Sequence, residues 1–257
     1  MEPKPDRYGR IAYRSLIDWP QRLKREAPLL QRVLAGAPSP RVLDLGCGTG
    51  EHARLLASLG FEPTGVDASP AQVAAAREAD PQGHYVQGSL TDLAGLVEAG
   101  QGGALCVGNT LPHLTEEADL RRCFEGLASR LLPGGRFLLQ TLNYDRILDR
   151  GERALPAVVL PGEDGAETVF LRLMTARAGG RLTFTPVRLR WRPGAQPPVE
   201  VVSAEEVQLR AWRRAEVEAL LAAAGFEVRE ALGTMTGEPW SPASSDLVIV
   251  AERLSQG

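Results

Sequence analysis

Three glycines in five residues stand between a short apolar run and the start of an amphipathic one, in Asp44-Leu45-Gly46-Cys47-Gly48-Thr49-Gly50. Glycine at such a place permits backbone dihedrals that other residues avoid and lets a ligand approach the main chain closely. A dinucleotide loop of this kind has a further glycine three positions after its second, where the following helix N-terminus faces a pyrophosphate. This chain has Glu51 there. A carboxylate at that point repels a phosphate, and Asp44 adds another negative charge just before the loop. The loop therefore suits a ligand with no phosphate and with a cationic end; a tight turn without any ligand is the plainer alternative. Asp67 follows roughly 20 residues beyond the loop, where an acidic group can accept both hydroxyls of a ribose. Its alternative role, capping the next helix, is already filled by Ser69 ahead of Pro70.

Other candidates lie further on. His113 could orient a ligand or take a proton, or could be a turn residue capping the helix that Thr115 opens. Asn109 offers an amide to an amine or hydroxyl, or is itself a turn residue. Tyr144 ends an apolar run and can wall an acceptor pocket. Tyr8, Tyr13 and Trp19 could close over a ligand, or simply pack on an amphipathic face. Cys47, Cys106 and Cys123 are widely spaced, with no CxxC pair and no disulfide framework, so a reducing cytoplasm is expected and no metal site.

These residues must be positioned by regular elements. Residues 1–40 read as a helical cap segment, helical from about Ile11 to Leu34 with breaks at Pro20 and Pro28. Strands are expected at Arg41–Leu45, Glu62–Val66, His84–Gln87, Ala104–Val107 and Arg136–Leu142. Helices fall between them: Glu51–Leu59, one opened by Ser69-Pro70 and running to about Ala79, and one from Thr115 to about Leu132, stopped by Pro133-Gly134-Gly135. Alternation at this spacing implies βαβ units and a doubly wound, Rossmann-like parallel α/β sheet, with ligands outside the strand C-termini. The core is assigned to residues 41–145 and 211–257. Within 146–210 the runs Thr168–Ala176, Arg181–Arg192 and Val199–Arg210 have no helices between them and read as an antiparallel insertion, placed as a lid. In it Arg188, Arg190 and Arg192 share one face of a strand, where they could bind an anionic substrate; the plainer expectation is a solvated face, with Val187, Leu189 and Trp191 on the other. A helix at Arg213–Ala224 and strands at Glu227–Leu232 and Leu247–Ala251 complete the core.

Composition narrows the function classes. The chain has 257 residues, 44% apolar and 24% charged, which fits a soluble globular protein and excludes disorder or coiled coil as a description of the whole. With 29 basic against 32 acidic residues the net charge is −3, which argues against a nucleic-acid partner. No apolar run approaches the length of a membrane span, and Met1 to Asp6 lack the pattern of a signal peptide.

S-adenosylmethionine, with its sulfonium and ammonium and no phosphate, fits the ligand described above. Val42-Leu43-Asp44-Leu45-Gly46-Cys47-Gly48-Thr49-Gly50, Gly65-Val66-Asp67-Ala68-Ser69 and the Pro133-Gly134-Gly135 turn together resemble the class I S-adenosylmethionine-dependent methyltransferases. The resemblance covers roughly residues 40–145 and the last two strands. It implies a mostly parallel seven-stranded sheet with an antiparallel final strand, and cofactor contacts at Asp44, Gly46, Gly48, Gly50, Asp67 and Ala68.

Gly108-Asn109-Thr110-Leu111-Pro112-His113-Leu114 and Asn143-Tyr144-Asp145 further resemble the glycine/sarcosine N-methyltransferase group, which also carries an antiparallel insertion. By that resemblance Arg22 contacts the cofactor carboxylate, Ser89 and Leu90 lie near the adenine, and Val107, Gly108, Asn109 and His113 complete the binding edge. Many relatives have an acidic residue where this chain has Ser89. The glycine enzymes place a carboxylate-binding arginine before Asn-Tyr-Asp, where this chain has Leu142, so an acceptor other than glycine is expected. The implied activity is methyl transfer to a nitrogen or oxygen of a small molecule. A nucleic-acid methyltransferase and a non-catalytic S-adenosylmethionine sensor are the rivals. The first lacks its expected Asn-Pro-Pro-Tyr-type motif, and the second would show no cofactor turnover.

The position of Glu51 yields a direct test. Calorimetry is expected to show binding of S-adenosylmethionine or S-adenosylhomocysteine and no comparable binding of NAD; tight NAD binding with silence toward both sulfur ligands would reverse the reading.

Overall fold

The computed structural model describes residues 17–162 and 165–255. Helix α1 (Trp19–Leu34) opens at Asp18, whose carboxylate accepts the Gln21 N–H at 3.1 Å. Of the two expected breaks, the one at Pro20 coincides with the start of the helix: Ile17 and Asp18 are not helical, and Pro20 occupies the first turn, where no backbone donor is needed. The one at Pro28 does not occur, and the helix runs through it. Tertiary packing overrides the local penalty: Leu29, Leu30, Val33 and Leu34 form one buried face against Val107, Leu138 and Val250. The earlier part of the expected helix, with Tyr8 and Tyr13, lies outside the described residues.

The core alternates as its apolar runs and caps require. β1 (Arg41–Leu45), α2 (Glu51–Ser58), β2 (Glu62–Asp67), α3 (Pro70–Ala79), β3 (His84–Gln87), α4 (Leu93–Leu96), β4 (Gln101–Cys106), α5 (Glu117–Arg130) and β5 (Leu131–Leu142) follow in order. After α6 (Tyr144–Arg150) and the insertion come α7 (Arg214–Ala223), β11 (Phe226–Leu232) and β12 (Asp246–Arg253). The seven strands lie in the order β11-β12-β5-β4-β1-β2-β3. β12 is antiparallel to both neighbours; the remaining pairings are parallel. From β1 the chain winds outward through β2 and β3, then returns to β4 on the other side. The loops after β1 and β4 therefore face each other across the reversal in strand order, where such sheets open a crevice.

Two boundaries differ from the sequence expectation. α5 ends at Arg130, and Pro133-Gly134-Gly135 is an excursion within β5, where the pairing shifts from Gln101–Leu131 to Gly103–Arg136. Glu116, not Thr115, is the residue preceding α5, and it makes no side-chain cap. Among the described residues no helix is long and apolar enough to cross a membrane.

The insertion is a second, antiparallel sheet of β6 (Ala154–Pro161), β7 (Glu167–Ala176), β8 (Arg181–Trp191), β9 (Val199–Ala204) and β10 (Val207–Arg210), in the order β10-β8-β7-β6 with β9 also on β8. β6 was not expected from sequence, because Pro156 interrupts it. It is an edge strand, and Pro156 falls where its pairing to β7 shifts, so the missing donor costs no ladder bond. The inner face packs Leu155, Met174, Leu182, Phe184, Val207 and Leu209 against Tyr144 and Ile147 of α6. Alternation along β8 then puts Arg188 and Arg190 on the same face as Leu182 and Phe184. Val187, Leu189 and Trp191 face outward with Val199 and Val201, and Trp191 and both valines are exposed. The expected faces are thus met only in part: Arg190 and Arg192 are exposed as expected, whereas Arg188 is half-buried beside Val187 and Leu189, and Trp191, expected inward, is exposed.

Pro28 is exposed within α1, where it withholds a donor from the carbonyl one turn back. Pro28→Ala is expected to stabilise the protein by about 2 kcal/mol, the helix-interior penalty less the unfolded-state entropy that proline removes. A higher urea midpoint at unchanged slope would show it.

Candidate active site

The glycine loop is held from β2. Gly46 and Cys47 donate their N–H groups to the Val66 carbonyl at 2.7 and 3.1 Å. One Asp67 oxygen accepts the Gly48 N–H and the other the Ser69 N–H, each at 2.9 Å. Gly46, Gly48 and Gly50 all have positive φ, of 74°, 54° and 81°. A Cβ on Gly46 would stand 2.3 Å from the Thr110 methyl, and one on Gly50 would stand 2.7 Å from the Tyr85 hydroxyl. Gly48 meets nothing within 4 Å: of the three, it alone faces open space. Any side chain there would enter that space.

Negative charge gathers under this loop. Asp44 is 1% exposed, and its Oδ2 has no hydrogen-bond partner. Burial raises its pKa to about 6; His52 and the Ala53 N–H oppose the rise, while Asp67 and Glu51 add to it. Glu51 is also buried, accepts the Thr49 hydroxyl at 2.6 Å and pairs with Arg54 at 3.4 Å. An uncompensated carboxylate in such surroundings favours a cation over any anion.

The loop after β4 forms the facing wall. Gly108 donates its N–H to Gln140 Oε1 at 2.8 Å, and Gln140 donates in turn to Asp246 at 3.0 Å. Asn109 has φ of 64°, in the left-handed region that few non-glycine residues enter. Its Oδ1 accepts the Leu142 N–H at 3.1 Å, and the Tyr144 hydroxyl lies 3.0 Å from its Nδ2 and 3.1 Å from its Oδ1. Asn109 and Tyr144 therefore form one unit, joining the loop after β4 to α6, and Tyr144 is almost fully buried rather than an open wall. His113 ends the short 3₁₀ turn Leu111–His113. Its ring keeps a solvent-exposed face, yet the protein around it disfavours the imidazolium and pushes its pKa down, toward about 4. The open face limits that cost, and the direction is what matters: the neutral ring prevails at physiological pH.

Arg22, on α1, reaches the same edge. Its Nη2 lies 4.0 Å from where a Cβ on Gly108 would be. Ala68 is exposed just beyond Asp67; Ser89 precedes a short turn, with its hydroxyl accepting the Thr91 N–H at 3.2 Å. Leu90 turns its side chain into the main core and Val107 into the core beneath α1. Sequence reasoning missed the residues that brace these. Asn143, fully buried, donates to the Ser244 carbonyl at 3.0 Å and accepts the Arg146 N–H; Asp145 accepts the Arg214 N–H at 2.9 Å at the start of α7. Their only advance signal was the unusual Asn-Tyr-Asp run itself.

A methyltransferase-domain model matches residues 42–135. The glycine/sarcosine N-methyltransferase of Halorhodospira halochloris is 34% identical over 140 residues, 53% of this chain and 52% of that protein. The chain thus spans about half the length of the glycine-type relatives it matches. The ubiquinone biosynthesis O-methyltransferase of Xanthomonas campestris pv. campestris (strain B100) is 38% identical over 186 residues, 65% of this chain and 75% of that protein. Among solved structures, S-adenosylmethionine-bound CalS10, an amino pentose methyltransferase from Micromonospora echinaspora, superposes over 98% of this chain and 99% of its own, with a TM-score of 0.74 at 23% identity, a likeness of fold. A shared fold alone leaves the family open, but identity across three quarters of an O-methyltransferase, with the glycine loop inside the matched domain, closes the question: the chain belongs to the class I S-adenosylmethionine-dependent methyltransferases.

Proposed function

We propose that this protein transfers a methyl group from S-adenosylmethionine to a nitrogen or oxygen of a small molecule. The observation that carries the reading is Asp44 Oδ2, buried and without a donor at the end of β1, just ahead of a loop in which Gly48 faces open space. That pairing of negative charge with exposed backbone fits a ligand with a cationic end and no phosphate. When bound, S-adenosylmethionine supplies an electrophilic methyl on a sulfonium. The acceptor atom must approach that carbon in line, so the chain's own part is positioning and exclusion of water.

In this reading Gly46, Gly48 and Gly50 give the backbone cradle and Asp44 the charge complement. Asp67 and Ala68 meet the ribose, and Ser89, Leu90 and Val107 border the adenine, Leu90 and Val107 through backbone. Arg22 and Gly108 meet the carboxylate end. Asn109 and His113 face the acceptor, and Tyr144, buried behind Asn109, holds it in place. The Asn109–Tyr144 unit fixes the wall, and a neutral His113 accepts a hydrogen bond from an amine or hydroxyl. Asp67 accepts the Gly48 and Ser69 N–H groups, one on each oxygen, which fixes the orientation of its carboxylate at the end of β2.

The acceptor wall is apolar. Leu142 packs against the cluster that holds Tyr144, Met174 and Phe184. A carboxylate set against Leu142 has no fixed partner, which disfavours glycine. Arg188, half-buried on the inner face of the insertion and in no ion pair among the described residues, favours a larger acceptor that carries an acidic group away from its methylated atom.

Two measurements follow. Asp44 is ionised above its raised pKa of about 6, and a cationic ligand prefers the ionised form. Affinity for S-adenosylhomocysteine is therefore expected to hold above pH 7 and to fall by as much as about tenfold per pH unit below 6; Asp44→Asn flattens the profile. Calorimetry from pH 8 to 5 reads it, and a wild-type profile as flat as the variant's removes Asp44 from the site. In steady-state assays of S-adenosylhomocysteine release, glycine and sarcosine are expected to show kcat/KM about 10–100-fold below bulkier amines and hydroxyl compounds, the worth of one charged hydrogen bond. Glycine as the best substrate of the panel would refute the argument from Leu142, and no turnover with any acceptor would favour a binding protein.

A further inference from the structure

We propose that Glu26 and His52 are positioning residues that hold Arg22 as a clamp for the carboxylate of the bound cofactor. This rests on the assignment of Arg22 made above. Arg22 donates from Nε to Glu26 Oε1 at 2.8 Å, one turn along α1, and the other Glu26 oxygen lies 2.7 Å from His52 Nε2. The Trp19 ring completes the cluster, with the Arg22 guanidinium 5.1 Å from its centroid and His52 edge-on at 5.8 Å.

The burial of this chain of contacts is what distinguishes it from an ordinary helix-surface pair. Glu26 is 3% exposed and His52 6%. An exposed pair at this spacing contributes little, whereas a buried carboxylate is costly unless both oxygens are engaged. Here both are. Burial acts to raise the Glu26 pKa, but the His52 hydrogen bond and the Arg22 charge outweigh it and keep the group ionised.

The consequence falls on the Arg22 fork. Its Nε edge is occupied by Glu26 and its face is stacked on Trp19, so most of its rotamers are excluded. Among the described residues Nη1 and Nη2 make no hydrogen bond, and Nη2 points toward Gly108 at the rim of the crevice. A guanidinium held in this way offers two parallel donors to a carboxylate without first losing the entropy of a long flexible side chain. His52 is the second residue of α2, directly after the glycine loop, so the same contact fixes the clamp to the cradle.

The test uses two ligands that differ at the end in question: S-adenosylhomocysteine, which has the carboxylate and ammonium, and 5′-methylthioadenosine, which has neither. Calorimetry is carried out on the wild type, Arg22→Ala, Glu26→Gln, His52→Gln and the Arg22→Ala/Glu26→Gln pair. Glu26→Gln is expected to weaken S-adenosylhomocysteine about tenfold and to leave methylthioadenosine within twofold. His52→Gln, which keeps a donor toward Glu26, is expected to lose less. In the Arg22→Ala background Glu26→Gln is expected to add nothing, because its effect acts through that arginine. Equal losses for both ligands, or full additivity in the pair, would reduce Glu26 to a structural residue and overturn the proposal while Arg22 stands. If Arg22→Ala leaves S-adenosylhomocysteine binding unchanged, the assignment of Arg22 falls, and the clamp with it. Should Glu26→Gln fail to fold, His52→Gln against the same two ligands decides the matter.

Discussion

Asp44 sits at the end of β1 almost withdrawn from water, and one of its oxygens meets no donor. Ionising a carboxylate there is costly, and Asp67 and Glu51 raise the cost further. The neighbouring acids are each compensated: Asp67 by two backbone N–H groups, Glu51 by Thr49 and Arg54, Glu26 by Arg22 and His52. Asp44 has no such partner for its second oxygen, so positive charge nearby lowers the cost of its ionisation.

Much of this was legible in local signals. The glycine loop, the bounds of β1 and β3 and the Ser69-Pro70 helix start depend on a few adjacent residues, and they stand where those residues indicated. The failures share a cause. Pro28 is a strong local breaker, and only the docked face of α1 shows why the helix survives it. Glu26 and His52 are far apart in the chain, and only the meeting of α1 with α2 brings them together. Spacing by two correctly grouped Arg188 with Arg190, but it cannot say which side of a sheet is inside. That depends on Leu182 and Phe184, earlier in the same strand, which carry the arginines' face to the core.

Three consecutive residues join the two sheets. Asn143 grips the loop before β12, Tyr144 meets Asn109 above the crevice, and Asp145 receives the first N–H of α7 together with the Arg213 side chain. The left-handed backbone of Asn109 belongs to the same arrangement, since it turns the amide toward both Leu142 and Tyr144. The loop after β4 is therefore tied to the rest of the core at several points.

The alternation along β8 also bears on how such an enzyme diversifies. Residues 177–180 precede β8, and Gly179 and Gly180 both have positive φ, so this turn accommodates length changes readily. One residue gained or lost there, with the strand slipping in register, exchanges its faces: Arg188 and Arg190 pass to one side of the sheet and Val187, Leu189 and Trp191 to the other. An insertion or deletion in this turn therefore changes what the whole strand presents on each face of the second sheet, where a point substitution changes one side chain, and the glycine loop lies outside the strand.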